Sequence, residues 1–283
     1  MSTGHIPVLV REVLEGLDVG KRKKYIDATI GSGGHAVEIV KRGGIVLGID
    51  TDPAAVSIAR RKKLAVVQGN FRDIEAIAKR EGFTNVDGIL FDLGVSSMQL
   101  DSLKRGFSYR YPLARLDLRM DQSQGEAASE LVNRARGEEL YDIFSTFGEE
   151  QLAGAIADAI CRARTIRPIE TVGDMVGVVE TVVPNINVRY GVLSRIFQAL
   201  RIAVNDELEN LKYGLIGAKE LVRPGGKLLV ISFQSLEDRI VKQFMRGKGW
   251  ERVSKHPIRP GASEIEENVR SRSAKLRIAR KIE

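Results

Sequence analysis

A glycine-rich turn between two apolar segments is the part of this chain best suited to chemistry. Residues 25–52 read as a strand, a turn with Gly31, Gly33 and Gly34, a helix, and a second strand that ends in Asp50. Glycine allows unusual backbone dihedrals and lets the main chain approach a ligand closely. The carboxylate of Asp50, 19 residues after Gly31, would accept hydrogen bonds from ribose hydroxyls. The pattern predicts a site for an adenosine-containing cofactor.

Two cofactor classes fit this turn. Residues 31–36 match the G-x-G-x-x-A pattern of nicotinamide dinucleotide sites, where a helix N-terminus faces a pyrophosphate. S-adenosylmethionine has no pyrophosphate, and its binding loops commonly follow an acid at the end of the first strand, which here is Asp27. A tight turn without a ligand is the third alternative, and the joint presence of glycines and the spaced Asp50 argues against it. The turn by itself does not choose between the two cofactors.

Composition limits the class of protein. A chain of 283 residues with 43% hydrophobic content can bury a substantial core. No apolar run approaches the roughly 20 residues of a membrane span, and the N-terminus lacks a signal-peptide pattern, so we expect a cytoplasmic protein without a membrane partner. The single cysteine, Cys161, excludes an internal disulfide framework, and three scattered histidines lack zinc-ligand spacing. We therefore expect no metal.

The basic charge is concentrated near the C-terminal end. The net charge is +7, and residues 239–283 hold 13 Lys and Arg against 5 Asp and Glu, or +8, which leaves residues 1–238 at −1. Cationic side chains that displace phosphate counterions supply much of the affinity for nucleic acids. The asymmetry therefore favours a polyanionic partner, and a solvated basic surface is the alternative.

Strand and helix patterns alternate in the first hundred residues, which predicts a parallel sheet covered on both faces. From about Lys104 to Leu193 the spacing becomes helical throughout, as in an inserted helical subdomain. A single long helix is expected from about Ser194 to Val222, stopped by the Arg-Pro-Gly-Gly sequence at 223–226. The predicted strands are 25–28, 45–49, 64–67, 86–93 and 227–232, with an antiparallel edge pair at 250–254 and 275–279, and the predicted helices outside the insertion are 7–17, 36–42, 53–61, 73–80 and 235–246.

The carboxyl ends of these strands carry the candidate site residues. Ligands of open parallel sheets bind beyond those ends, near the switch in strand order. Phe71, after the third strand, could pack against an adenine ring or belong to the core. Asp92, followed by Leu93 and Gly94, places an acid where reacting atoms would meet, and a helix cap or turn is its alternative role. In methyl transfer to an exocyclic amine, such an acceptor would orient the N–H groups and ease charge build-up.

Eight segments spread over the chain carry a resemblance to one known family. In order, they are HIPVLVREVL (5–14), DATIGSGGH (27–35), VDGILFDLGVSSMQLD (86–101), RGFS (105–108), LDLRMDQSQG (116–125), FQALRIAVNDELENL (197–211), ISFQSLEDRIVK (231–242) and RSRSAKLRIARK (270–281). Together they resemble the bacterial ribosomal RNA small-subunit methyltransferase H family, also called MraW. The resemblance implies S-adenosylmethionine-dependent N4-methylation of a cytidine in the decoding region of small-subunit (16S) rRNA. It also implies an α/β, Rossmann-like class I methyltransferase core with seven strands and an inserted all-helical subdomain. We therefore predict a core of residues 1–103 and 211–283 and an insertion of residues 104–210.

The resemblance also implies roles for single residues. Asp92 is the implied catalytic residue, which would face the target amino group, or it contacts the cofactor only. His35 could instead be a core or helix-start histidine, and His5 could line the site or cap the first helix. Arg195 and Gln234 are expected to bind the RNA substrate. The implied cofactor contacts are Gly33, Gly34, His35, Asp50, Phe71, Asp92 and Gln99.

Two departures from the family pattern concern the RNA. The family usually has histidine where this chain has Gln234, and it has a His-Pro pair in the stretch before Arg195, which here begins Gly191-Val192. Glutamine can donate and accept hydrogen bonds but carries no charge near neutral pH. The expected partner is small-subunit rRNA within the 30S particle, and a homodimer is left open. The alternatives are a diverged RNA methyltransferase or RNA-binding paralogue, and an NAD-dependent oxidoreductase.

Overall fold

The computed structural model describes residues 7–283, and the chain forms two compact units. The first unit, here called the sheet unit, ends at Gly94 and resumes at Leu208, and the second, the helical unit, comprises Val95–Glu207. The predicted boundaries at 103/104 and 210/211 stay a prediction of the domain organisation. His5, expected near the site or at the first helix, lies outside the described residues.

The sheet unit is built on one seven-stranded sheet. Its order is β3-β2-β1-β4-β5-β7-β6, in which the first five strands are parallel and β7 runs antiparallel to both β5 and β6. This arrangement confirms the predicted parallel sheet and its antiparallel edge pair. The strands are β1 Lys24–Asp27, β2 Ile45–Asp50, β3 Ala65–Gln68, β4 Val86–Asp92, β5 Val222–Ser232, β6 Trp250–Arg252 and β7 Lys275–Lys281.

Between β4 and β5, the described chain forms helices and no strand. This agrees with the helical spacing of the sequence in this region. The helices are α1 Val10–Leu17, α2 Gly34–Lys41, α3 Pro53–Arg61, α4 Ile74–Arg80, α5 Ser97–Leu100, α6 Ala128–Arg134, α7 Gly137–Thr146, α8 Ala153–Ile166, α9 Val172–Val182, α10 Ile186–Asn205, α11 Glu207–Leu221, α12 Ser235–Phe244 and α13 Ala262–Glu267.

Strand β4 shows why its sequence is continuously apolar. Ile89, Leu90 and Phe91 are all fully buried, although successive side chains of a strand point to opposite faces. Ile89 and Phe91 pack with the cluster that contains Leu211 of α11, whereas Leu90 packs with the cluster that contains Val13 of α1. Both faces of the sheet are therefore covered, as parallel sheets require.

The expected long helix after residue 194 is wrong in one respect, because two helices occupy this stretch. Helix α10 ends at Asn205, Asp206 has φ 50°, and α11 begins at Glu207. A residue in the left-handed region cannot continue a right-handed helix, and Asp tolerates that region better than most side chains. The Asn205 side chain donates to the carbonyl oxygens of Leu118 and Arg201 and holds the end of α10 in place.

Two other elements begin three or more residues away from the predicted position. Strand β5 begins at Val222 rather than at Lys227, since Val222 pairs with Val86 and Lys227 with Gly88, and the Arg-Pro-Gly-Gly residues between them form an irregular bulge. Helix α1 begins at Val10 rather than at residue 7. The reason is local, because Leu9 has φ 54°.

The helical unit has its own buried core, which includes Leu116, Phe144, Val179 and Leu200. Within residues 7–283, no helix combines the length and the apolar composition needed to cross a membrane. No cluster of His, Cys, Asp and Glu in the same range has the make-up of a metal site.

Candidate active site

Three carboxylates lie at the ends of three adjacent strands. In the parallel register Asp27 of β1 pairs with Gly48 of β2 and with Leu90 of β4. Asp50 and Asp92, two residues further along their strands, therefore project just beyond Asp27. Strand order reverses between β1 and β4, which is the switch point where ligands of such sheets bind.

The turn after β1 brings main-chain groups close to these acids. Gly31 has φ 52° and Gly33 has φ 81°, so both adopt the left-handed region that glycine permits. A Cβ on Gly33 would lie 2.5 Å from Leu64 Cδ1, and one on Gly34 would lie 2.5 Å from Pro7 Cγ. The sequence argument for glycine at these positions therefore agrees with the backbone, and Gly34 is also the first residue of α2.

The Asp50 side chain accepts hydrogen bonds from one backbone N–H of the glycine turn and from one just after its own strand. Its Oδ2 accepts a hydrogen bond from the N–H of Gly31 at 2.8 Å, and its Oδ1 accepts one from the N–H of Asp52 at 2.9 Å. Burial raises the pKa of Asp50 to about 6, and these N–H donors oppose the rise. Each carboxylate oxygen has a second lone pair, so Asp50 can still accept from a ligand hydroxyl.

Asp92 is the most exceptional polar group of the strand ends. Its backbone N–H donates to Thr29 Oγ1 at 2.6 Å, which ties the end of β4 to the turn after β1. Its side-chain Oδ1 is buried and has no hydrogen-bond partner in the protein. Burial raises the pKa of Asp92 to about 7. A buried carboxylate oxygen without a donor is costly, and a ligand N–H or O–H would satisfy it.

His35 connects Asp92 with the segment before α1. The ring is buried, and its Nε2 lies 2.9 Å from the carbonyl oxygen of Val8, which can only accept, so Nε2 carries a proton. Nδ1 lies 3.7 Å from Asp92 Oδ2, too far for a hydrogen bond. Burial lowers the pKa of His35, so the imidazole is neutral and directs a lone pair toward Asp92.

Asp27 is enclosed beneath this pair. It is only 2% exposed, and its Oδ1 accepts from the Thr29 N–H at 3.4 Å. Burial raises its pKa to about 7; the charge of His35 would lower it, while the charge of Asp92 raises it further. Ionisation of the three acids is therefore less favourable than for ordinary aspartates, and positive charge brought to this strand edge would favour the ionised forms.

Phe71 follows β3 and is half-buried. Its ring meets the ring of Phe91 edge to face, with centroids 5.6 Å apart. Gly214 of α11 permits this packing, because a Cβ there would lie 2.9 Å from Phe71 Cδ2. One side of Phe71 therefore packs on the core, and the packing of an adenine ring against its accessible side stays a prediction.

Gln234 stands in the loop after β5, the strand beside β4. Its backbone N–H donates to Glu237 Oε2 at 3.2 Å, which starts α12, while its side-chain Oε1 is buried without a partner. Gly94 lies two residues after Asp92, and Phe233 directly precedes Gln234. A Cβ on Gly94 would lie 3.7 Å from the ring of Phe233. The loops that carry Asp92 and Gln234 are therefore neighbours.

The remaining two predicted residues belong to the helical unit. Gln99 is buried, and its Oε1 accepts from the Ser96 N–H at 2.9 Å, which closes the capping box of α5. Arg195 of α10 forms an ion pair with Glu150 through Nη2 at 2.8 Å. Both residues thus have structural roles within their own unit, and their contacts with cofactor and RNA stay predictions.

Sequence reasoning missed two residues that support this site, Thr29 after β1 and Glu264 in α13. Thr29 was not singled out, although its hydroxyl holds the Asp92 backbone, and its place between the strand acid and the glycine turn was the available signal. Glu264 accepts from the Leu9 N–H at 2.7 Å across 255 residues of sequence. No local pattern could have indicated a contact over that separation.

The basic C-terminal region is partly used inside the sheet unit. Arg277 of β7 forms two hydrogen bonds with the carboxylate of Asp238, at 2.6 and 3.0 Å. Arg280 pairs with Glu251 on the adjacent β6. A share of the charge excess therefore stabilises the sheet edge rather than an external surface.

The strand edge fits S-adenosylmethionine. The glycine turn leaves main chain rather than side chains facing the switch point, Asp50 can accept from ribose hydroxyls, and Phe71 offers an accessible aromatic surface. The acids at this edge, whose ionised forms are disfavoured in the free protein, also suit a cationic ligand.

Comparisons with known proteins show the family of this chain. Two relatives are both called ribosomal RNA small subunit methyltransferase H. The one from Thermomicrobium roseum is 44% identical over 100% of this chain and 95% of its own length, and the one from Deinococcus deserti is 46% identical over 98% and 93%. A crystal structure of a putative methyltransferase from Streptococcus mutans in complex with SAH covers 98% of this chain and 100% of its own, at 11% identity and a TM-score of 0.45. The model of the MraW methylase family matches residues 2–282, so the chain belongs to that family and is a methyltransferase that uses S-adenosylmethionine.

Proposed function

We propose that this protein methylates the N4 amino group of a cytidine in the decoding region of small-subunit (16S) rRNA. The relatives named above are small-subunit rRNA methyltransferases, which supports the class of substrate. The observation that carries the choice of an amino group is Asp92 Oδ1, a buried acceptor without a donor at the switch point of the sheet. An exocyclic amine brings the N–H donors that this oxygen lacks.

Asp92 has the catalytic role in this proposal. A cytosine amino group is conjugated to its ring and is a poor nucleophile, so its orientation decides the rate. The Asp92 carboxylate accepts a hydrogen bond from an N–H of the amine and stabilises the positive charge that develops on nitrogen. Once the N–CH3 bond has formed and the bond from methyl to sulfur has broken, this carboxylate takes the proton that the nitrogen loses. S-adenosylmethionine supplies the electrophilic methyl group. Thr29 fixes the backbone of Asp92, and His35 lies against its second oxygen.

The cofactor contacts follow the same strand edge. Gly33 and Gly34 allow the main chain to face the ligand, Asp50 accepts from the ribose, and Phe71 packs beside the adenine. His35 and Gln99 complete the set implied by the family, His35 through its contact with Asp92. Each assignment is tested by separating cofactor affinity from turnover in single variants.

Gln234 and Arg195 are proposed to contact the RNA. Gln234 Oε1 is buried and unpartnered, which leaves an acceptor for a nucleotide N–H. The Arg195 side chain is 43% exposed despite its ion pair, so its guanidinium can also meet a phosphate. We expect the substrate to be an assembled 30S particle in the cytoplasm. The proposal is compatible with either a monomer or a homodimer.

The decisive experiment uses small subunits from a strain that lacks this methylation. The protein and isotopically labelled S-adenosylmethionine are incubated with them, and the nucleosides are then analysed by mass spectrometry. We expect labelled N4-methylcytidine, formed much more slowly with Asp92→Asn. Label in another nucleoside would refute the cytidine N4 assignment while leaving the methyltransferase activity in place.

A diverged RNA methyltransferase or RNA-binding paralogue is the second candidate, and Gln234 is the observation that favours it, because glutamine stands where the family usually has histidine. Under this alternative, Gln234→His would create or increase N4-methylcytidine formation. Under the main proposal, wild-type protein already forms the product, and Gln234→Ala lowers turnover several-fold without changing cofactor affinity.

A further inference from the structure

We propose that Tyr109 and Tyr190 form a stacking platform in the helical unit that holds an unpaired base of the RNA. This inference rests on the proposed function, because an rRNA substrate supplies such bases. The platform is a feature of the helical unit alone, and nothing in the family resemblance assigns it.

The two rings pack against each other, and Tyr109 also packs against the buried Phe197 of the core. Tyr109 lies between Phe197 and Tyr190, with centroid distances of 6.0 Å to Phe197 and 6.1 Å to Tyr190. Phe197 is 5% exposed and meets Tyr109 edge to face at 71°, whereas the Tyr109 and Tyr190 rings are inclined by only 32°. The inner ring pair is thus fixed by core packing, and the outer ring extends the same surface.

Tyr190 has more accessible surface than this packing needs. It is 54% exposed, and two apolar neighbours in the first turns of α10, Ile186 and Val188, are 53% and 52% exposed. A tyrosine that only sealed the core would be covered, since aromatic side chains gain most from burial of their faces. The exposed ring therefore has capacity to stack with a planar ligand.

The charge around the platform favours a nucleic acid over an apolar protein surface. Residues 103–115 carry Lys104, Arg105, Arg110 and Arg115 without an acid, and residues 183–195 carry Arg189 and Arg195 without an acid. Arg110 stands between Tyr109 and Tyr111 and is exposed. Aromatic side chains interleaved with cations are the usual surface for unpaired nucleotides, because rings take the bases and cations take the phosphates.

Not all of these cations are equally available. Arg189 donates to the carbonyl oxygens of Val183 and Pro184 and pairs with Glu180, so it mainly closes the turn before α10. Arg195 pairs with the buried Glu150 and still exposes 43% of its side chain. The guanidinium is close to the start of α10, because a Cβ on Gly191 would lie 3.5 Å from Arg195 Nη1. Arg195 and Arg110 are therefore the cations that the platform can offer to phosphates.

The test measures RNA affinity directly, without relying on methyl transfer. Full-length protein is titrated into a fluorescently labelled, naked fragment of the decoding region of small-subunit rRNA, with the variants Tyr190→Ala and Tyr190→Phe. Tyr141→Ala is the matched control, because Tyr141 lies on α7 of the same unit and is 49% exposed. Calorimetric titration with S-adenosylmethionine and circular dichroism are run on all four proteins to confirm an intact fold and cofactor site.

We expect Tyr190→Ala to weaken RNA binding by roughly fivefold to 100-fold, the range for loss of one base–aromatic stack. Tyr190→Phe keeps the ring and should bind within about twofold of wild type, as should Tyr141→Ala. Cofactor affinity should be the same in all four proteins.

Unchanged affinity of Tyr190→Ala for the naked RNA would overturn the platform. Impaired binding to assembled subunits together with unchanged binding to naked RNA would overturn it as well, and would indicate a ribosomal protein as the partner of this surface. If wild-type protein forms no N4-methylcytidine but Tyr190→Ala still weakens RNA binding, the proposed function fails and the platform stands.

Discussion

The strand edge of the sheet unit and the α10 surface of the helical unit carry opposite chemistry. The strand edge collects the buried Asp27 and the partly buried Asp50 and Asp92, whose pKa values are raised to about 7, 6 and 7. The α10 surface instead presents exposed rings and cations, such as Tyr190 and Arg195. Under the proposed function, buried groups on a rigid sheet carry out the chemistry, and exposed groups on helices recognise the polyanion.

The physical reason lies in what each task requires. A catalytic acceptor must be held within a few tenths of an ångström and shielded from water, and the hydrogen-bonded ends of parallel strands provide that rigidity. A phosphate backbone is long, flexible and solvated, so cations that contact it work while remaining partly in water.

Asp92→Asn should lower turnover by about 100-fold or more, the usual scale for loss of a positioned proton acceptor. Asparagine keeps the size of the side chain and a carbonyl oxygen that can still accept from the target amine, but it cannot take a proton, so turnover should fall much more than RNA affinity. Single-turnover methylation with saturating cofactor and RNA measures the effect. Turnover within about threefold of wild type would show that Asp92 has no direct role in the chemistry.

Asp50→Ala should weaken binding of S-adenosylmethionine by about 10- to 100-fold, because it removes a charged acceptor worth roughly 1.5 to 3 kcal/mol. The same change releases the N–H of Gly31, so the glycine loop should also lose order. Calorimetric titration measures the affinity. Asp87→Ala is the control, since Asp87 lies near the opposite end of β4 and accepts from the Lys24 N–H. An equal loss in both variants would show a general effect on the sheet rather than a ribose contact.

Arg195→Ala should lower the free energy of unfolding by about 1 to 3 kcal/mol, because it leaves the carboxylate of Glu150 buried without its cation. The Glu150 side chain is only 1% exposed. In a Glu150→Gln background the same substitution should cost much less, and urea unfolding of the four proteins measures the coupling. If the single variant keeps full stability and loses only RNA affinity, Arg195 serves recognition alone.

The contribution of Asp92 to the free energy of unfolding of the cofactor-free protein should fall as pH rises from about 4 to about 7. An acid whose pKa is 3.8 unfolded and about 7 folded holds its proton longer in the folded state, so the folded state loses stability across that window. Asp92→Asn should therefore be more stable than wild type at about pH 8, and equally stable at about pH 4. Because 22% of the side chain is exposed, we expect only about 1 kcal/mol, measured by urea unfolding at both pH values. A difference of the same size at both pH values would contradict the raised pKa of Asp92.

Local sequence patterns predicted the seven strands and most of the helices, but not every residue at which they begin or end. The run at 53–61 is a helix at the predicted bounds, because Asp52 caps it and Pro53 starts it, which are both local signals. The single long helix after residue 194 was wrong, since both halves have helical periodicity and only the φ of Asp206 separates them. The bulge before Lys227 depends on pairing with β4, a partner more than a hundred residues away in the sequence.

The sequence by itself determined which residue types stand at each strand end, because apolar runs, glycines and terminal acids are local features of the chain. It thereby determined the class of fold, the glycine turn, and Asp50 and Asp92 as candidates. Only the tertiary structure decided which polar groups have hydrogen-bond partners. It leaves Asp92 Oδ1 without a donor, and it brings the Leu9 N–H to the carboxylate of Glu264. Burial and hydrogen bonding depend on neighbours distant in sequence, and these neighbours set the raised pKa values on which the proposed chemistry rests.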